Sequence, residues 1–311
     1  MESSSSTEIT DISSPSSPCS NRDITEPEIL VQTRNLISHG IHYAANTDIA
    51  SQCEFMFNKD LRGDVLILKG SQALHSELVL SGIFQIDTHN LFMTSDTKWN
   101  SNNPLSTCLD QAKATCNLQP VNQNTDFEFS AQHFPNIIGN LHAIKNLANP
   151  QRSRDTSSII VNNSNAIKII HHLFIVSQSF NFLDTHHLLF FKKEKRDPSQ
   201  LDKNNDLQIE EYTIDDWLIN PSNKSYLNAI KGSHCIHLIP AYNIKGTLIP
   251  PAKYEEKLAG AIVHVCFTIV HFIIKHKHIY NAVVRDISII RPPTTISTAT
   301  LRNVLHPNKK N

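Results

Sequence analysis

The sequence predicts a mainly β fold with short helices (α+β), built as two or three small β-barrels behind a disordered tail. Three observations predict it. A strand–turn–strand pattern recurs at residues 78–93, 173–191 and 261–290, with turns centred near residues 87, 184 and 277. Those steps of 97 and 93 residues are each about one small domain long. The longest apolar run, residues 261–274, is rich in β-branched side chains and carries His264 and His271, so it reads as a buried strand and is too short and polar to span a membrane.

Residues 1–28 are Ser-rich and acidic, with Pro15, Pro18 and Pro27. They hold too little apolar surface to offset the entropy of ordering. Pro27 between Glu26 and Glu28 then opens a helix. Strands are expected at residues 53–57 and 65–68. In the first hairpin Leu78, Leu80, Gly82, Phe84 and Ile86 alternate onto one face. The polar stretch 96–130 accommodates one short helix near residues 106–115. Strands follow at 136–144 and 158–161, then the second hairpin, then a charged boundary loop at 192–206. Short helices are expected at 215–218 and 226–231, the latter stopped by Gly232, with a strand at 235–239. Pro251 and Gly260 bracket a further helix before the third hairpin. The expected units are residues 29–125, 126–206 and a basic 207–294, followed by a frayed basic tail at 295–311.

Composition excludes several chemistries. The 8 glycines never approach one another, so neither a dinucleotide fingerprint nor a phosphate-binding P-loop exists. The 6 cysteines form no C-x-x-C pair and the N-terminus carries no apolar signal region, which favours free thiols and an intracellular setting, nuclear or cytoplasmic. The net charge of −1 hides an asymmetry: residues 1–30 sum to −5, 31–220 to −5, and 221–311 to +9. A basic segment beside an acidic remainder points to a polyanion partner.

Two stretches resemble a known family. Residues 137–144, with Ile137, Ile138, Gly139, Asn140 and Leu141, are similar to the first strand of bacterial single-strand-DNA-binding proteins. Residues 173–191 resemble the last two strands of the same OB-type barrel, and Gly82 stands where that family often has a glycine midway along the strand. The helix before Gly260 and the third hairpin are similar to the helix-then-hairpin order of such barrels, including those of replication protein A. This last segment also looks like the C-termini of uncharacterised fungal proteins. The resemblance implies two or three OB-like five-stranded barrels and binding of single-stranded DNA or RNA, without catalysis or a cofactor.

Single-strand binding needs cations for phosphates and aromatic faces for bases. The expected contacts are Lys168, Phe174, Phe180, Lys192, Lys193, Lys195 and Arg196 around the second hairpin, and Lys275, Lys277, Arg285 and Arg291 in the third. The alternatives are a scaffold that binds a protein partner and a metal enzyme using His75 and Glu77, whose H-x-E spacing puts both on one strand face. His234 with His237, and His276 with His278, are further short-spaced pairs. Cys266, midway along an apolar strand, reads as an inert buried thiol.

Overall fold

The computed structural model describes residues 42–59, 61–70, 77–102, 108–122, 124–148, 156–161, 163, 165–177, 212–215 and 217–293. Eleven strands pair into one sheet: β1 (His42–Tyr43), β2 (Cys53–Asn58), β3 (Gly63–Leu68), β4 (Leu80–Phe92), β5 (Lys113–Gln119), β6 (Thr156–Ser157), β7 (Ile160–Val161), β8 (Ala166–His172), β11 (Ala241–Tyr242), β12 (Ile262–Ile274) and β13 (Lys277–Arg291). Two short strands, β9 (Phe174–Val176) and β10 (His234–Ile236), pair apart from it. Among the described residues the α-helices are α1 (Glu128–Ala148), α2 (Lys224–Ile230) and α3 (Tyr254–Leu258).

Five strands close a circuit. β4 pairs antiparallel with β5, and β5 with β8. β8 then runs parallel to β13, β13 antiparallel to β12, and β12 antiparallel back to β4. Side-chain alternation turns one set inward: Leu80, Phe84 and Ile86 of β4, Ala114, Cys116 and Leu118 of β5, Ile167 and Ile169 of β8, Val263, Val265 and Phe267 of β12, Ala282 and Val284 of β13. Each large side chain so buried contributes about 1.5–3 kcal/mol, so the circuit is where the folding energy concentrates. The ring of Phe84 lies back over Gly82, where a Cβ would come within 2.5 Å of it.

The expected units therefore share one sheet, which runs across the boundaries at 125/126 and 206/207. Among the described residues one circuit closes, not three. Only the third of the three hairpins reverses as expected within the described residues. The first is a single 13-residue strand, β4. Its Asp87 does form turn-like bonds, accepting from the His89 amide at 2.9 Å and the Asn90 side chain at 2.7 Å. The result is a bulge between Ile86 and Leu91, after which the strand carries on along β5. Of the second, only the start lies within the described residues, as β9.

Residues 136–144, expected as a strand and carrying part of the family resemblance, lie inside α1. The reason is periodicity: Phe134, Ile137, Ile138, Leu141 and Ile144 fall on one helical face and all are buried. Residues 109–111 form a 3-10 turn, and the expected helix around 106–115 gives way to β5. The strand at 235–239 is shorter than expected, as β10, while α2, α3 and the strands at 53–57 and 65–68 are where the sequence places them. Of the helix expected at 215–218, Asp215 lies in a turn and Trp217 and Leu218 in irregular chain. The expected tails, the helix after Pro27 and the loop 192–206 lie outside the described residues.

Candidate nucleic-acid interface

The outward face of β4, β5, β8 and β13 carries a basic surface. On β5 the outward positions are Lys113, Thr115 and Asn117; on β8 they are Lys168, Ile170 and His172. Register sets them side by side: Lys113 by His172, Thr115 by Ile170, Asn117 by Lys168. Phe92 of β4 lies beside Thr115 and Val283 of β13 beside Ile170, so one row crosses four strands. A groove of about 420 Å³ opens over this face, bordered by Lys98, Trp99, Lys113, Lys168, Ser158 and Asn281 among others.

The electrostatics follow from that placement. Lys113 and Lys168 are exposed and have no acidic partner among the described residues. The groove walls desolvate the Lys113 stem and Lys168 stands near it, so its ammonium pKa is lowered. Lys98 stands 5.5 Å over the Phe92 ring and 3.2 Å from Glu255, an exposed pair of small net value. Phe92 is 39 % exposed, and so leaves part of its ring open beside these cations. Burial first, then the charge of Lys113, pushes His172 down to about 4, so it is neutral at pH 7.

Of the residues expected from the sequence, Lys168 belongs to this surface. Lys275 and Lys277 are exposed at the β12–β13 tip, where Lys275 and His276 form a two-residue loop with φ of 48° and 65°. Three other expected residues are engaged elsewhere. Phe174 is 3 % exposed, packed in the core, and offers no ring to a base. Arg285 is committed to Glu77, its Nε on one carboxylate oxygen and its Nη2 on the other at 2.6 Å. Arg291 donates to Asp126 at 2.6 Å and stacks on Phe127, centroid 5.4 Å away. Phe180, Lys192, Lys193, Lys195 and Arg196 lie outside the described residues. Sequence reasoning missed Lys98, Lys113 and Phe92. The signal was present in β5, where Ala114, Cys116 and Leu118 alternate with Lys113, Thr115 and Asn117.

Of the two residues of the metal-enzyme alternative, His75 lies outside the described residues and both Glu77 oxygens are held by Arg285. His234 and His237 face different partners: His237 donates through Nδ1 to the His172 carbonyl at 3.2 Å, while His234 Nδ1 meets Ser233 Oγ at 2.8 Å. His278 joins a satisfied chain: His271 donates from Nδ1 to Asp64 at 2.8 Å, and its Nε2 accepts from His278 at 2.9 Å. One group does converge: His264, Cys266 and Asp286, all buried, bring ligand atoms within 4.8 Å of one another.

No protein-family model matches the chain, and no curated protein matches it. Among solved structures it is similar to gp2.5, a single-stranded DNA binding protein encoded by bacteriophage T7, with a TM-score of 0.34 and 8 % identity over 72 % of this chain and 97 % of that one. Among the described residues no helix is long and apolar enough to cross a membrane.

Proposed function

We propose that this chain is a non-catalytic, low-specificity binder of single-stranded nucleic acid, and that the β4–β5–β8–β12–β13 circuit is its OB-like barrel. The observation that carries the reading is the pair Lys113 and Lys168, exposed and without acidic partners among the described residues, on the outward face of the second and third circuit strands. OB-type barrels take oligonucleotides on that face and on the loops joining first to second and fourth to fifth strands. The corresponding loops here hold Lys98, and Lys275 next to Lys277. Phosphates would meet these cations, and Phe92 would stack one base. With one partly open ring, affinity rests mainly on charge.

The test is fluorescence anisotropy of a labelled oligo-dT with the full chain at several salt concentrations. Single-strand affinity falls with a log–log slope of about −0.7 per neutralised phosphate. The Lys113→Ala/Lys168→Ala double variant is expected to weaken binding and flatten the slope by about 1.4. Wild-type affinity indifferent to salt, or a folded double variant that binds as wild type does, overturns the reading.

A further inference from the structure

We propose that His264, Cys266, Asp286 and Ser81 form a buried site for a divalent cation of the zinc class, which pins three strands of the circuit together. The site is independent of the nucleic-acid reading. His264 and Cys266 are two residues apart on β12 and so share its outward face. Cys266 pairs with Ser81 of β4 on one side and with Asp286 of β13 on the other. The three lie in a row across adjacent strands, with His264 one step along.

A bulge puts Asp286 there. Opposite Cys266 and Phe267, β13 supplies Asp286 and Val284, leaving Arg285 as the extra residue. Up to Val284 the even-numbered residues of β13 point into the core; beyond the bulge Ile287 and Ile289 do. Without that phase change Asp286 would face the apolar interior. Bulges of this kind re-aim side chains beside functional sites.

The polar atoms are left short of partners. Asp286, His264 and Cys266 are each 3 % exposed and Ser81 is fully buried. The Asp286 Oδ1 accepts from Ser288 Oγ at 2.8 Å, but Oδ2 has no partner among the described residues, and neither has Ser81 Oγ. Buried polar atoms are nearly always satisfied, so two such atoms beside a His–Cys pair point to a ligand between them. The cation fits the donors. Imidazole, thiolate and carboxylate are the usual zinc ligands, and Ser81 Oγ offers a fourth ligand atom. Thiolate and carboxylate balance a divalent charge, leaving the site neutral in an apolar layer. Zinc–sulfur and zinc–nitrogen bonds of about 2.3 and 2.0 Å set a separation near 3.5 Å; Cys266 Sγ and His264 Nε2 stand 4.0 Å apart.

The experiment titrates the chelator-treated full chain with cobalt(II). The expected result is a thiolate-to-cobalt charge-transfer band in the near ultraviolet that saturates at equimolar cobalt and collapses when zinc is added. Cys266→Ser removes the band, Cys235→Ser keeps it, and Asp286→Asn weakens cobalt binding at least ~100-fold, because even outer-shell partners are worth about 10–100-fold. Absence of the band in folded wild type, or its survival in folded Cys266→Ser, overturns the proposal. Should Cys266→Ser or the stripped chain fail to fold, elemental analysis of chain purified from zinc-supplemented cells decides: equimolar zinc in wild type and its loss in Asp286→Asn support the site, and no zinc in wild type overturns it.

Discussion

Phe92 is the residue on which the aromatic half of the interface depends. Its ring borders the Lys98, Lys113 and Lys168 surface and is partly open. Phe92→Ala is expected to cost ~1–3 kcal/mol of oligonucleotide affinity while leaving the salt slope as it was; anisotropy at two salt concentrations reads both. Buried histidines set a different property. His171 donates from Nε2 to the His237 carbonyl at 3.0 Å, and burial holds both His171 and His172 below the ordinary imidazole range, His172 at about 4. The unfolded chain therefore binds more protons than the folded one below about pH 6.5, so stability falls as pH drops towards 4. Discounted for partial exposure, His172 accounts for ~1–2 kcal/mol of that loss. Thermal midpoints of wild type and His172→Gln, compared between neutral pH and pH 4, should diverge in that sense, with the variant falling less.

Among the elements, the β12–β13 hairpin combines a strong pattern with an unfavourable turn. Lys275 and His276 both adopt positive φ, which Asn-Gly accepts with far less strain. Lys275→Asn/His276→Gly should raise stability by ~1 kcal/mol on denaturant unfolding and, with Lys275 gone, weaken oligonucleotide binding. This hairpin was legible in the sequence because a β-branched run decides its own conformation. α1 was misread because Ile137 and Ile138 look like a strand when the helical partners Phe134, Leu141 and Ile144 are not counted with them. β4 was misread because Asp87 forms turn bonds whether or not the chain reverses. The Asp286 cluster was illegible, since nothing local announces that Arg285 is an extra residue. The site was half legible for a similar reason. Charge singles out Lys168, Lys275 and Lys277, which are exposed, but only the tertiary structure pairs Arg285 with Glu77 and Arg291 with Asp126.

At the scale of the molecule, closure of the circuit by β4 and β12 makes stability a property of the whole. A fragment covering residues 207–294 would keep the hairpin but lack β4, β5 and β8. It is expected to show no cooperative thermal transition by circular dichroism, whereas the full chain shows one. A cooperative fragment would mean that the C-terminal strands carry a core of their own. The same closure has a cost in time. Gln85 and Ile262, partners at one end of the seam, stand 177 positions apart along the chain. A ribosome adding about 5–20 residues per second needs roughly 10–35 s to deliver the second after the first. Until β12 emerges, the β4 edge from Leu80 to Gln85 lacks that partner strand and stays open to pairing with another chain.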